Sequence, residues 1–155
     1  MYKKILLPID EIKSASAAIS NAKGLAAATG AEVVLFSVVS TENPIIVHDE
    51  HVGGLHASQE VVDMAIQDEE RHVEQAEAEL QKAVESNGAD GVKFSFEVTT
   101  GRAQDEIVRY TKENGVDMII ISTHGRRGVS RAFLGSVADE VIHEVEVPVM
   151  VVKRS

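Results

Sequence analysis

The sequence predicts an α/β fold in which parallel strands alternate with helices, organised as a single domain over residues 1–155. Three observations predict it. Short apolar runs recur along the chain, stripes of apolar residues at helical spacing lie between them, and three of those stripes stop at an Asn-Gly or Thr-Gly pair. Strand–helix–strand order of this kind implies right-handed crossovers, a parallel sheet, and helices covering both of its faces. The length suffices for one hydrophobic core and is short for two.

The strands are read in order from the runs. Lys4 to Ile9 ends at Asp10, and Val33 to Val39 encloses Phe36. Val92 to Val98 alternates, with Val92, Phe94, Phe96 and Val98 on one side and Lys93, Ser95 and Glu97 on the other, which is the pattern of a strand near a sheet edge. Met118-Ile119-Ile120-Ile121 is unbroken, as a strand buried on both faces should be. Val147 to Val152 is last, and Pro148 marks a strand start or an edge. Its valines 147, 149 and 151 face one way and Met150 and Val152 the other, so this edge is apolar enough to need a cover.

The helices follow from the stripes. Ala15, Ala18, Ile19, Ala22, Leu25 and Ala26 form the first, stopped by Thr29-Gly30. Val62, Ile66, Val73, Ala76, Leu80 and Val84 form a longer one, stopped by Asn87-Gly88, with Glu69, Glu70, Glu74, Glu77 and Glu79 as its wet face. Ile107, Val108 and Tyr110 mark a third, stopped by Asn114-Gly115, and Val137, Val141 and Ile142 a fourth. Each of the three stopping glycines suits the left-handed residue that ends a helix. Thr41 to Ala57 fits no period; a connection of that length is often functional.

Composition narrows the function. A net charge of −10 argues against general nucleic-acid binding, since phosphate backbones attract basic surfaces. No apolar run is long enough to span a bilayer, and the opening Met1 to Pro8 reads as a first strand rather than a signal peptide, so no membrane partner is expected. The lack of cysteine removes disulfides and thiolate metal sites and fits a cytoplasmic protein. His48, His51 and His56, with Asp49 and Glu50, have the residue types of a metal site but no firm scaffold, and no metal centre is assigned there.

Ligands of open parallel sheets bind beyond the carboxyl ends of strands, where connections leave for opposite faces. The fourth strand ends in Ser122-Thr123-His124-Gly125-Arg126-Arg127-Gly128 and runs on to Leu134-Gly135-Ser136-Val137. The glycines permit tight turns and close approach to a ligand. Ser136-Val137-Ala138-Asp139 resembles a capping box, so a helix starts near Ser136 and offers its N-terminal amides to an anion. Between Met118 and Ala138 there is no acid, while Arg126, Arg127 and Arg131 all fall there. Neither the P-loop spacing nor G-x-G-x-x-G is present, and no G-x-S-x-G or H-E-x-x-H pattern marks a catalyst.

These residues resemble the universal stress protein family. Its nucleotide motif is G-x-x-G, nine residues, then G-[ST]; here Gly125, the nine residues Arg126 to Leu134, and Gly135-Ser136 match it, with Ser122 at the first glycine position. The opening Pro8-Ile9-Asp10 and the closing Pro148-Val149-Met150-Val151-Val152 are also family-like. The resemblance implies a Rossmann-like (adenine nucleotide α-hydrolase-like) three-layer fold with a five-stranded parallel sheet in the order 3-2-1-4-5. It implies a regulatory protein of stress adaptation that binds ATP, accompanied by Mg²⁺. Phosphates would lie on Gly125, Gly135, Ser136 and Val137, beside Ser122, His124 and Arg126. Ile9 and Val38 would flank adenine, next to Pro8, with Asp10 near the ribose or a metal ion. Dimerisation through the last strand is also implied. The alternatives are a scaffold of the same family that binds no nucleotide and a weak ATPase or phosphotransfer enzyme.

Overall fold

A computed structural model describes residues 1–40, 59–123 and 135–153. The elements run β1 (Lys4–Pro8), α1 (Ser16–Thr29), β2 (Glu32–Val39), α2 (Gln59–Asn87), β3 (Phe94–Thr100), α3 (Ala103–Glu113), β4 (Met118–Thr123), α4 (Ser136–Glu144) and β5 (Val149–Lys153). All strand pairs are parallel, and the sheet has the order β3-β2-β1-β4-β5. Fold class and strand order are therefore as expected.

The side-chain period of two divides the core between the faces. Ile5, Leu7, Ile9, Val33, Leu35, Met118 and Ile120 pack with α1 and the end of α2 in one cluster. Leu6, Val34, Phe36, Ile119 and Ile121 point the other way and pack with α3 and α4. Only strands buried on both sides need to be apolar at every position, and these are the central three. At one edge, β3 sends Phe94, Phe96 and Val98 to the α1–α2 side. On its other face Ser95 donates to Glu32 Oε1 at 2.7 Å. At the opposite edge, Val147, Val149 and Val151 face α3–α4 while Met150 and Val152 face α1–α2. Along α1, Ala15, Ala18, Ala22 and Ala26 are buried, and their small side chains let the helix lie close to the sheet.

Two expectations change. The α2 stripe is fully buried only at Leu80: Val62, Val73, Ala76 and Val84 are half-buried, Ile66 is 49% exposed, and Met64 outside the stripe is 69% exposed. A 29-residue helix is about 43 Å long at ~1.5 Å per residue, while the eight residues of β2 span about 26 Å at ~3.3 Å, so the sheet cannot cover all of α2. Its C-terminal glycine also differs. Gly30 (φ 76°) and Gly115 (φ 63°) are left-handed as expected, but α2 tightens into a 3-10 turn over Gly88–Asp90 and the left-handed residue is Gly91 (φ 81°).

The amino edge of the sheet is closed by one carboxylate. Asp117 Oδ2 accepts from the backbone N–H of Lys3 (2.7 Å) and of Lys4 (2.9 Å), tying the first strand to the start of β4. These two bonds hold the Asp117 carboxyl below its ordinary range. A carboxyl with a depressed folded-state pKa stabilises the fold above its ordinary value of ~3.9 and loses that contribution as the pH falls through the depressed value. In urea titrations from pH 5 downward, the native chain should therefore lose stability more steeply than Asp117→Asn. Parallel curves for the two chains would contradict this.

Candidate functional site

The site begins with how β1 and β4 part. The β1–β2 register runs from Lys4↔Glu32 to Pro8↔Phe36, and the β4–β5 register from Ile119↔Val149 to Thr123↔Lys153. Between β1 and β4 it holds only for Ile5↔Met118 and Leu6↔Ile119. Proline supplies part of the reason. The Ile9 N–H donates to Phe36 O at 2.8 Å, so Ile9 directs its amide toward β2 and Pro8, its neighbour, directs its nitrogen toward β4. That nitrogen carries no hydrogen, and the next rung between β1 and β4 lacks a donor. The two strands thus separate at their carboxyl ends, at the point where the chain leaves for opposite faces.

Most of the expected site residues surround this crevice. On β1, Pro8 is half-buried and Ile9 buried, and Asp10 is exposed just beyond the strand. Val38 sits one residue from the end of β2, packed on the α3–α4 side. Ser122 pairs with Val152 in regular extended backbone, and its place after Ile120 turns it to the α1–α2 side. No non-glycine residue among those described has a positive φ, so Ser122 fills the glycine position without strain. Gly135 and Ser136 are exposed, and Val137 packs against the α3–α4 core. His124, Gly125 and Arg126 lie outside the described residues, as do Arg127, Gly128, Arg131 and the Thr41 to Ala57 segment with its histidines.

The helix start is as expected, but the capping box is not. Ser136 is the first helical residue of α4, Gly135 occupies the cap position, and no side chain caps the helix. The cause is the backbone of Gly135, with φ 93° and ψ 144°, a region open to glycine almost alone. The capping residue thus has no side-chain oxygen with which to accept, and the first intrahelical bond is Asp139 N–H to Gly135 O at 3.0 Å. Among the described residues, the amides of Ser136 and the two residues after it have no hydrogen-bond acceptor, at the positive end of the helix dipole. A Cβ placed on Gly135 would meet nothing within 4 Å among the described residues.

Two contacts position this helix end. Arg102 extends its guanidinium to both Glu140 oxygens (3.3 and 3.2 Å), joining the start of α3 to the first turns of α4. Gly101 N–H donates to Val39 O at 3.0 Å and pins the turn before α3 to the end of β2. Close by, the hydrogen bond from Arg109 holds the Glu106 carboxyl below its usual range, against the opposing effect of burial. Among the described residues, no group of three or more His, Asp or Glu side chains converges on a metal position, and no helix is long and apolar enough to cross a membrane.

The sequence reading passed over two residues. Gln104 and Thr123 are buried at the same end of the molecule, although their side chains are polar. Gln104 was findable: it lies three residues before Ile107 and four before Val108, on the apolar stripe of α3.

Residues 1–153 match the universal stress protein family. The chain belongs to that family. The universal stress protein MJ0577 of Methanocaldococcus jannaschii is 31% identical over an alignment covering 99% of this chain and 96% of the relative. The solved structure of MJ0577 superposes with a TM-score of 0.79 at 29% identity, covering 100% of this chain and 98% of that one. A universal stress protein of Archaeoglobus fulgidus in complex with dAMP has the same fold, with a TM-score of 0.61, 20% identity and 97% of each chain covered.

For this universal stress protein the glycine cap makes a direct test. Gly135→Ala should cost about 1–3 kcal/mol through backbone strain alone, read as a lower urea midpoint with an unchanged slope. A variant as stable as the parent would show that the conformation at 135 is not confined to glycine.

Proposed function

We propose that this chain is a regulatory adenine-nucleotide-binding protein of stress adaptation, working in the cytoplasm and taking ATP with Mg²⁺ at the carboxyl ends of β1 and β4. The observation that carries the reading is the uncapped N-terminus of α4, opened by Gly135 in its left-handed conformation beside the β1–β4 crevice. Open amides at the positive end of a helix suit a phosphate. In this reading the N–H groups of Gly135, Ser136 and Val137 hold the phosphates with the Ser136 hydroxyl. Gly125, His124 and Arg126 complete the cradle from the loop, and Arg127 and Arg131 lie in the same acid-free stretch. Pro8, Ile9 and Val38 flank the adenine, and the dAMP complex of the archaeal relative supports that base. Asp10, exposed beyond β1, turns its carboxylate toward the ribose or the Mg²⁺.

One specific observation favours a second reading, a scaffold without nucleotide: Ser122 stands where the motif has glycine. Against it, Ser122 is an ordinary strand residue whose side chain leaves the α3–α4 side free. We also propose that β5, the outer strand of the sheet, pairs with a second copy of the chain through the Val147 to Val152 segment, which would cover an apolar edge that is only partly buried here.

Calorimetry with ATP and Mg²⁺ on thoroughly desalted protein should give saturable heat; its absence up to millimolar ATP would overturn the nucleotide reading. Ser122→Gly should bind as the parent does, whereas binding that appears only in the variant would favour the scaffold reading for the native chain. Sedimentation at low micromolar concentration should report a dimer, and a monomer alone would remove the β5 interface.

A further inference from the structure

Three polar side chains are buried among the described residues: Gln104 is 9%, Thr111 5% and Thr123 8% exposed. Thr111 is satisfied, since its hydroxyl donates to Ile107 O at 2.7 Å. Neither Gln104 nor Thr123 has a side-chain hydrogen bond among the described residues. A primary carboxamide brings two donors and an acceptor, and burying them unpaired costs free energy that folding alone does not return. Such a group calls for an explanation, and a bound partner is one.

The position of these groups is informative. Gln104, Ile107, Val108 and Thr111 form the buried stripe of α3, and Gln104 is the member nearest the carboxyl ends of the strands. The turn just before it is fixed to β2, because Gly101 N–H donates to Val39 O at 3.0 Å, next to Val38. Thr123, following Ile119 and Ile121 on β4, faces the same α3–α4 side. Both unpaired side chains therefore belong to the layer and the sheet end at which Val38 stands, while the satisfied one lies farther along the helix.

We infer that Gln104 reads the base of the bound nucleotide: its Oε1 accepts from the 6-amino group of adenine and its Nε2–H donates to a neighbouring ring nitrogen. A carboxamide presents an acceptor beside a donor, and the amino edge of adenine presents the complement, which is why Gln pairs with adenine in two hydrogen bonds. The side chains of Val38 and Ile9 offer the ring only apolar area, which holds a purine without distinguishing its substituents. Gln104 supplies that distinction. This inference rests on the adenine-nucleotide reading and assigns a specificity-determining residue within it.

The unaltered protein gives the first test: titration with adenosine triphosphate and with purine riboside triphosphate, which lacks the 6-amino group. The native chain should bind the second roughly tenfold more weakly, because Oε1 is then left buried and unpaired. Equal affinities overturn the inference while leaving nucleotide binding intact; no binding of either overturns the nucleotide reading itself. The second test is Gln104→Met, which keeps the length of the side chain and removes its polar atoms. It should bind adenosine triphosphate roughly tenfold more weakly, treat the two nucleotides alike, and melt without ligand at or above the temperature of the parent. A variant that binds as the parent does, melts several degrees lower, or fails to fold overturns the inference. The last two outcomes would mean that the amide holds the protein together.

Discussion

The parting of β1 from β4 is the constraint on which the rest of this end of the molecule depends. A parallel sheet continues as long as each strand offers donors to both neighbours. At Pro8 one donor is missing, on the side facing β4. In a central strand such a residue would ordinarily be a fault. Here it falls after the last β1–β4 pair, where the chain also changes the face to which it crosses over. The β1–β2 ladder is undisturbed, because the amides that serve it belong to the alternate residues and Ile9 still donates to Phe36. One residue thus opens one seam and leaves the other closed.

The two faces of the sheet then serve different ends. On the α1–α2 side the small alanines of α1 lie over Ile5, Leu7, Val33 and Ile120, a dry and closely packed layer. On the α3–α4 side the layer is apolar toward the middle, around Phe36, Ile107, Ile119 and Val141, where the hydroxyl of Thr111 is satisfied, and the unpaired polar groups come at the carboxyl end, with Gln104, Thr123 and the start of α4. The helices there are fixed relative to each other by Arg102 and Glu140, and to β2 through Gly101. Although exposed ion pairs contribute little to stability, this one spans α3 and α4 near the crevice, so its consequence is geometric. It sets where the first turn of α4 stands.

Much of the fold was legible because hydrophobic period reports burial directly. The unbroken apolar run marked β4 as buried on both faces, alternation marked β3 as an edge, and the valines and Met150 of the last run divided between faces as their spacing said. Period does not report how much partner a helix has. The stripe of α2 is therefore genuine as a pattern, while Met64 and Ile66 remain exposed because the sheet is shorter than the helix. Of the expected site residues, Pro8, Val38 and Ser122 stand at or near the carboxyl ends of β1, β2 and β4, and Gly135 at the start of α4. The cap was misread because Ser136 has the chemistry of a capping residue, whereas the backbone of Gly135 places the helix start one residue earlier than a serine cap would need. Gln104 escaped because a search for apolar periodicity passes over a polar residue that keeps the period.

Among the described residues, several unsatisfied features share one place. The missing rung at Pro8, the uncapped amides of α4, the glycine-only backbone at 135 and the two buried polar side chains all sit at one end of one sheet. Two of them are unfavourable for an isolated chain, since a buried amide forgoes hydrogen bonds and the Gly135 conformation costs backbone freedom, while the open amides of α4 are left to solvent. The opposite end shows the contrast, where one carboxylate satisfies two backbone donors. Parallel topology by itself brings every helix start to the carboxyl ends of the strands, and α1 and α3 also begin without a side-chain cap, so what distinguishes the site is the glycine backbone and the buried carboxamide. A molecule answering both features would bring an anion for the helix end and a donor–acceptor edge for the carboxamide. A phosphate alone answers only the first, and a free base only the second. A nucleotide carries both on one frame, which is the physical ground for the proposed reading.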